Sequence, residues 1–187
     1  KRMPIIWSEK TTIRELHLYL FTVDRRKSLS EGFVCELTEH NDISPIEISD
    51  LCRELCPGGV SFHGELYLVR NERSTNVTDA DTEIIFEWVR RAKYPYRPSR
   101  YQSLYALDDL EAARHFMKST GAWGSPVFEV ATDEPFRADM RLLDSRMSAI
   151  VKSYFANLYW QGLPHPADPP FWEWLVPCPV TIGRQVE

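Results

Sequence analysis

The stretch Phe171-Trp172-Glu173-Trp174-Leu175-Val176 places one acidic side chain inside an otherwise apolar and aromatic run. Side chains of an extended chain alternate between two faces, so Glu173 shares its face with Phe171 and Leu175. Pro177 and Pro179 interrupt the strand that we predict over residues 171–182, which indicates an edge strand or a bulge. Glu173 is then either a solvated charge that discourages aggregation or a carboxylate in a partly desolvated pocket, where a partner or ligand must satisfy it. The local pattern by itself favours the exposed edge charge.

The rest of the chain predicts strands and helices in irregular alternation around this segment. Apolar residues on both faces predict a buried first strand over 13–23, and the charged residues 24–27 end it. Further strands are predicted at 32–37, 101–107 and 125–131, with 60–69 as a strand or an extended loop, and helices at 44–56, 79–92, 108–121 and 144–160. There is no βαβ rhythm, repeat or long linker, so we expect one α+β domain.

Local signals predict where the helices begin and end. Ser44-Pro45-Ile46-Glu47 has the composition of a capping box, with Ser44 as the cap and Pro45 at the first helical position. Asp108 with Glu111 predicts a second capped start, and Gly121 is expected to end that helix. The apolar face predicted for the 79–92 helix consists of Ile84, Ile85, Trp88 and Val89.

Composition limits the classes of function. The 187 residues are 43% hydrophobic, enough for one compact core, and the formal net charge is −5 with acids and bases mixed. The sequence shows no basic patch for nucleic-acid backbone, no run that could span a membrane and no signal peptide. We therefore expect a cytoplasmic protein with no membrane partner. Because the sequence opens at Lys1 without a starting methionine, we also expect it to be a fragment or a domain of something larger.

The four cysteines form no regular framework, so we interpret them as reduced thiols. Cys52 and Cys56 lie four residues apart and share a face if their segment is helical. With His63 or His40 they are one possible metal site, but the paired spacing of known zinc motifs is missing. Partly buried helix cysteines are the favoured interpretation, and no metal is expected.

A second candidate for chemistry is the stretch Arg100-Tyr101-Gln102-Ser103-Leu104-Tyr105-Ala106-Leu107, which leads directly into a capped helix. A strand that delivers Tyr105 to the start of a helix offers an aromatic platform for a planar ligand. Arg100 and Ser103 are placed to bind phosphate or ribose oxygens beside it. The plainer interpretation is a half-buried core tyrosine next to a surface arginine. The sequence contains no glycine-rich phosphate loop, nucleophile elbow or HExxH motif.

The order of these segments resembles the ADP-ribosyltransferase superfamily, most closely a group of bacterial members. Three segments carry the resemblance. The opening strand of the family is similar to Leu18-Tyr19-Leu20-Phe21-Thr22, and its strand and helix with a stacking tyrosine are similar to Ser103-Leu104-Tyr105-Ala106 with Leu110-Glu111-Ala112-Ala113. The strand that carries the family's glutamate is similar to the segment around Glu173. Shorter likenesses at 127–130, 136–140 and 159–162 extend the match over about residues 14–185. The resemblance implies an ADP-ribosyltransferase-like split β-sandwich with flanking helices, spanning 1–187 as a single domain.

The resemblance also implies a reaction: transfer of ADP-ribose from NAD, the co-substrate, to a macromolecular acceptor with release of nicotinamide. Glu173 would hydrogen-bond the ribose 2′-hydroxyl and stabilise the cationic transition state, and Tyr105 would stack on the nicotinamide. Arg100 and Ser103 would support that pocket or the pyrophosphate, while Tyr19 and Thr22 would border the adenosine side. In this scheme Glu173 should contribute hardly at all to folding.

One departure from the family and one rival carboxylate are evident. Many members carry a basic or imidazole side chain where this chain has Leu20, and His17 or Arg25 are candidates to replace that contact. Glu129, between apolar residues on a predicted strand, is the alternative acid, while Asp139 is interpreted as a turn or helix-entry residue. The alternative functions are a catalytically degenerate binding module, an NAD glycohydrolase and an unrelated interaction domain. A toxin or defence effector role is common among such enzymes, and the acidic balance favours protein over nucleic acid as the acceptor.

Overall fold

The computed structural model describes residues 18–70 and 78–187. Its strands are β1 (Leu18–Val23), β2 (Val34–Cys35), β3 (Ser103–Ala106), β4 (Val127–Thr132), β5 (Phe136–Asp139), β6 (Trp172–Pro177) and β7 (Val180–Gln185). Its helices are α1 (Ile46–Leu55), α2 (Phe62–Gly64, continued by a π-helical turn over Glu65–Val69), α3 (Ala80–Lys93), α4 (Leu110–Thr120) and α5 (Ala149–Gln161). Two 3-10 turns, Arg100–Gln102 and Met140–Leu143, precede β3 and follow β5. The predicted first-strand residues 13–17, including His17, lie outside the described ranges.

The strands form two antiparallel sheets. One sheet has the order β1-β4-β7-β2 and the other has the order β3-β6-β5. Backbone hydrogen bonds of 3.0 and 2.8 Å between Phe21 and Leu107 join the two sheets where β1 passes the end of β3. Mixed helices and antiparallel sheets in one unit make this a single α+β domain, as the sequence predicts.

The smaller sheet has a core on each side. Leu175 of β6 packs with α3, α4 and α5 side chains such as Phe86, Met117 and Trp160. Val176, the next residue, points to the opposite face and packs against the four-stranded sheet, where Leu20 and Ile182 meet it. This alternation is the period-2 pattern of a strand buried on both faces. It accounts for the near-continuous apolar character of β6.

The strand predicted over 171–182 is in fact two strands. Residues 178 and 179 form a turn, and β6 and β7 on either side of it belong to different sheets. The amide of Cys178 donates to the carbonyl of Gln102 at 3.0 Å, which anchors the turn beside β3. β6 is therefore the central strand of its sheet, and the prediction of an edge strand is wrong. The prolines mark the passage between sheets because a proline lacks the amide hydrogen that a continuing ladder needs.

Residues 62–69 are helical where the sequence predicts a strand or loop over 60–69, and Val60 lies in a β-bridge with Thr38. Ser61 caps α2, and Gly64 packs against the backbone of Tyr101 so closely that a Cβ there would lie 2.5 Å from the Tyr101 carbonyl oxygen. Only glycine fits this approach. The contact seats α2 on the 3-10 turn that carries Arg100.

The helix ends agree with the sequence in part. Gly121 ends α4 in the left-handed conformation, as predicted. Asp109, and not Asp108, caps α4 by accepting from the amide of Ala112 at 2.8 Å. The capping box predicted for α1 does not form, because Pro45 occupies the N-cap and makes no side-chain hydrogen bond. Asp139 starts the second 3-10 turn, in agreement with its predicted turn role.

The buried face of α3 differs from the predicted one. Thr82, Glu83, Phe86 and Glu87 are buried, while Trp88 is 51% exposed. Both buried carboxylates have cationic partners: Glu83 pairs with Arg100, and Glu87 pairs with Arg90 at 2.7 Å. A buried charge is tolerated only when it is paired, so these ion pairs explain why a polar stripe faces inwards. None of the helices in the described ranges has the length and apolar character needed to cross a membrane.

Candidate functional site

A cavity of about 430 Å³ opens in the cleft between β1, β3, β6 and α2. Five of the six site residues predicted from the sequence line it: Thr22, Arg100, Ser103, Tyr105 and Glu173. Its volume lies in the range of small-molecule sites, about 300–1,000 Å³. Three strands, β1, β3 and β6, and the 3-10 turn before β3 therefore bring together residues that are up to 151 positions apart in the chain, from 22 to 173.

Strand register places Tyr105 and Glu173 on one face of the smaller sheet. Tyr105 of β3 pairs with Leu175 of β6, and Glu173 follows two residues earlier on β6. Side chains two residues apart on a strand point the same way, so Tyr105 and Glu173 are diagonal neighbours. Ala138 of β5 pairs with Glu173 on the other side and is fully buried. The small alanine leaves room beside the carboxylate.

Arg100 is the centre of a buried ionic network. Its guanidinium donates to Glu83 through Nε at 2.7 Å and through Nη2 at 3.0 Å, and to Glu173 through Nη1 at 2.5 Å. The Tyr159 hydroxyl donates to the same Oε1 atom of Glu173 at 2.6 Å and also contacts Arg100. All four side chains are almost completely buried. Both bonds to Glu173 use Oε1, and within the described ranges no hydrogen bond is made to Oε2.

This network shifts the ionisation of its members. Burial acts to raise the pKa of Glu83, but the positive charge of Arg100 and the contact with His63 outweigh it, so that pKa lies well below its usual value. Burial acts to lower the pKa of Arg100, but Glu173 and Glu83 hold it well above its usual value. The pKa values of the Tyr105 and Tyr159 hydroxyls are raised, mainly by burial. Arg100 is thus permanently charged and both tyrosines are neutral.

The depressed pKa of Glu83 predicts an acid-sensitive fold. A carboxyl group whose folded pKa is lower than its unfolded pKa stabilises the protein above the unfolded value, which is 4.5 for glutamate. That contribution is lost as the pH falls below 4.5 towards the folded pKa. We expect urea unfolding midpoints of a Glu83→Gln variant to fall less between pH 6 and pH 3 than those of the unmodified protein. Equally steep falls would contradict the assignment.

The phenol ring of Tyr105 is fixed but not enclosed. Its hydroxyl donates to the backbone carbonyl of Arg100 at 2.9 Å, the Arg100 guanidinium lies 4.9 Å from its ring centroid, and the ring is only partly buried. His63 of α2 tilts against it with centroids 4.6 Å apart. Ser103 lies two residues before Tyr105 on β3 and also lines the cavity. Its hydroxyl donates to the carbonyl of Ser99 at 2.7 Å.

The loop that follows β1 brings two arginines to the cavity. Arg25 and Arg26 are exposed and line it, and the Arg26 guanidinium stacks 3.3 Å from the ring centroid of Phe62. The buried carboxylate of Asp24 shapes this loop by accepting from the amides of Arg26 at 3.2 Å and Leu29 at 2.7 Å. The cavity lining therefore contains both signs of charge: the carboxylates of Asp24, Glu36, Glu65 and Glu173 and the guanidinium groups of Arg25, Arg26 and Arg100. A lining of this kind suits a ligand with a positive and a negative part.

Two other sequence candidates lie away from the cavity. Tyr19 is 61% exposed on the opposite face of β1 from Thr22, beside Glu129 on the outer surface of the larger sheet. Glu129 pairs with Arg184 through two hydrogen bonds of 2.8 and 2.9 Å. Leu20 is buried in the core between the sheets and borders no part of the cavity. The structure thus separates Tyr19 and Glu129 from the other candidates.

Three further residues complete the site: Glu83, His63 and Tyr159. Sequence reasoning did not single out Glu83 or Tyr159, and it named His63 only as a possible metal ligand. Glu83 and Glu87 have helical i, i+4 spacing on α3, and a paired acidic stripe of this kind was the available signal. His63 lies in a segment whose helical state the pattern did not show, and Tyr159 looked like an ordinary core aromatic. No three histidine, cysteine or acidic side chains in the described part of the chain are grouped to hold a metal ion. The four cysteines are free thiols.

Comparison with known proteins identifies one family. No curated protein sequence matches the chain. A family model described as "Protein of unknown function (DUF2441)" matches residues 18–187, a span that includes both sheets and every residue lining the cavity. Because the match covers almost the whole chain, the protein belongs to the DUF2441 family.

Proposed function

We propose that this protein is an NAD-dependent ADP-ribosyltransferase, which transfers ADP-ribose from NAD to a macromolecular acceptor and releases nicotinamide. The observation that carries the proposal is the placement of Glu173 and Tyr105 on the same sheet face in one cavity. A buried carboxylate beside an aromatic ring suits a reaction whose transition state carries positive charge on the ribose. The resemblance to the ADP-ribosyltransferase superfamily assigns these two positions the same roles.

The charge of the buried network supports cation stabilisation. Glu83 and Glu173 carry two negative charges and Arg100 carries one positive charge, so the network has a net charge of −1. In a desolvated site, a fixed negative charge stabilises a developing positive charge much more than it does in water. Because Arg100 and Tyr159 hold Oε1, the Glu173 carboxylate is already oriented, and Oε2 is left for the ribose 2′-hydroxyl.

Two exposed arginines support binding of the pyrophosphate. Arg25 and Arg26 line the same cavity as Tyr105, and guanidinium groups bind phosphate oxygens well. Many family members have, at the position of Leu20, a basic residue that contacts the adenosine-side ribose or a phosphate. In this protein Arg25 would make that contact. Arg100 itself is saturated by two carboxylates and a tyrosine, so we assign it the positioning of Glu173 and not a pyrophosphate contact. Thr22 and Ser103 border the ribose portions, whereas Tyr19 has no role in the cavity.

Replacing Tyr105 by alanine is expected to weaken NAD binding about 10-fold or more, because stacking of a base on an aromatic ring contributes about 1–3 kcal/mol. The measurement is calorimetric titration with NAD. Tyr19→Ala is the matched control, since Tyr19 lies on the far side of β1, and its affinity should equal that of the unmodified protein. Unchanged affinity in Tyr105→Ala would contradict the stacking role.

The acceptor is proposed to be a protein, and the site of action the cytoplasm of the producing cell or of a cell into which a toxin or effector is delivered. The test is incubation of the purified protein with NAD labelled in the adenine part, together with a whole-cell lysate. Label in a nuclease-resistant, protease-sensitive fraction would support a protein acceptor. Nicotinamide release with label only in free ADP-ribose would show an NAD glycohydrolase, and the absence of both would show a binding module.

A further inference from the structure

His63 occupies a place in the cavity that none of the roles above uses. It is the second residue of α2, and its ring lies 4.6 Å from the ring of Tyr67 and 4.6 Å from that of Tyr105, measured between centroids. The side chain is 14% exposed and lines the cavity on the same side as Tyr105. It is therefore close to the position proposed for the nicotinamide ribose.

The two ring nitrogens of His63 face different surroundings. Nε2 is fully enclosed and lies 3.1 Å from Oε1 of Glu83, although the contact is not aligned as a hydrogen bond. Nδ1, in contrast, is not among the buried polar atoms that lack a partner. It makes no hydrogen bond to a residue within 18–70 or 78–187. Catalytic hydrogen bonds are often poorly aligned until substrate is bound. A carboxylate at one ring nitrogen holds the proton there and leaves the lone pair on the other nitrogen free.

We infer that His63, held by Glu83, is the general base that activates a hydroxyl acceptor in the proposed reaction. The inference rests on the proposed function, and it adds the acceptor's chemical class: an oxygen nucleophile, from water or from an alcohol. Its geometric basis is the Glu83–His63 pair, whose imidazole lines the same cavity as Glu173 and Tyr105.

The chemical step balances without a further reactant. The acceptor hydroxyl gives its proton to Nδ1 of His63 while its oxygen forms a bond to C1′ of the nicotinamide ribose. The bond from C1′ to the nicotinamide nitrogen breaks, and its electron pair leaves with neutral nicotinamide. The imidazolium then returns the proton to solvent.

Several polar groups surround the His63 ring. They are the Glu83 carboxylate, the Arg100 guanidinium and the phenols of Tyr67 and Tyr105, with Glu173 on the far side of Arg100. The imidazole is therefore held on one side by a carboxylate and packed between two aromatic rings.

The test measures NAD cleavage by the full chain carrying His63→Ala, with water and with methanol as hydroxyl acceptors and with sodium azide as a third acceptor. Azide attacks without losing a proton, so it needs no base. We expect nicotinamide release to water or methanol to fall by about 10²–10⁴-fold, the usual contribution of a general base. Azide should restore release and give an ADP-ribosyl azide, identified by mass. Azide should not restore nicotinamide release by Glu173→Gln, because this variant lacks the negative charge that stabilises the ribose cation.

Controls make the result specific. His115→Ala, an exposed histidine on α4 outside the cavity lining, should behave as the unmodified protein. If His63→Ala unfolds, His63→Asn keeps a polar group against Glu83 without a base and should show the same azide rescue. Activity of His63→Asn within about threefold of the unmodified protein, or failure of azide to restore it, would overturn the role of His63 alone. Failure of the unmodified protein to release nicotinamide with any acceptor would overturn the proposed function and the base together.

Discussion

A Glu173→Gln variant should release nicotinamide at least about 10²–10³-fold more slowly than the unmodified protein, the usual cost of removing one electrostatic stabiliser of a transition state. Glutamine keeps the size of the side chain and can still accept from Tyr159, but it has no charge to oppose the developing ribose cation. NAD affinity should change by no more than a few-fold, because Tyr105, Arg25 and Arg26 remain. The two measurements are nicotinamide release under saturating NAD and calorimetric titration.

Glu129→Gln is the matched control for this variant. Glu129 is the other strand glutamate that the sequence singles out, and it lies on the outer face paired with Arg184. Its substitution should leave both release and affinity unchanged. If Glu129→Gln lost activity while Glu173→Gln kept it, the catalytic carboxylate would have been assigned to the wrong sheet.

Replacing Arg100 by methionine should cost about 3–5 kcal/mol in the free energy of unfolding, as expected when a buried ion pair loses one partner. The substitution leaves Glu83 and Glu173, which are both almost fully buried, without the positive charge of Arg100. Urea denaturation at pH 7 measures the change. Adding Glu83→Gln to Arg100→Met should recover part of the loss, because one of the two stranded charges is then removed.

Arg184→Met provides the comparison for Arg100→Met, because Arg184 makes a similar two-bond contact with a glutamate at an exposed position. Water screens that pair, so its removal should change the urea midpoint much less than Arg100→Met does. Similar midpoints for Arg100→Met and Arg184→Met would show that the buried network does not stabilise the fold.

These expectations change one conclusion drawn from the sequence. The sequence predicts that Glu173 hardly contributes to folding, whereas the structure places it in contact with Arg100 and Tyr159 inside the protein. Glu173→Gln should therefore also lower the free energy of unfolding, by about 1.5–3 kcal/mol for a hydrogen bond to a charged group. Activity of this variant must be measured at a temperature where circular dichroism shows that it is folded.

Much of the fold is predictable because its signals are local. The apolar run of β1, the terminal glycine of α4 and the α+β class follow from period and turn chemistry, whereas the cap of α4 is Asp109 and not the predicted Asp108. The division of 171–182 between two sheets is not local, since the turn at Cys178 is fixed by the distant carbonyl of Gln102. The helical state of 62–69 depends likewise on the fit of Gly64 against Tyr101.

In the candidate site, too, local signals predict some residues and tertiary contacts decide the others. Glu173, Tyr105, Ser103, Arg100 and Thr22 are found from the sequence because each lies in or beside a recognisable strand, and the structure brings them to one cavity. The partners Glu83, His63 and Tyr159 come from elements whose inward faces only tertiary packing decides. Strand alternation explains why Tyr19 fails to join Thr22, because three positions along β1 reverse the direction of the side chain.

The most direct test of the central claim is nicotinamide release by the purified, unmodified chain incubated with NAD, measured against Glu173→Gln in parallel. Nicotinamide is expected to accumulate with repeated turnover in the unmodified protein and to stay near the uncatalysed level in the variant. Equal release by both proteins, or none by the unmodified protein with water, methanol or lysate protein as acceptor, would contradict it.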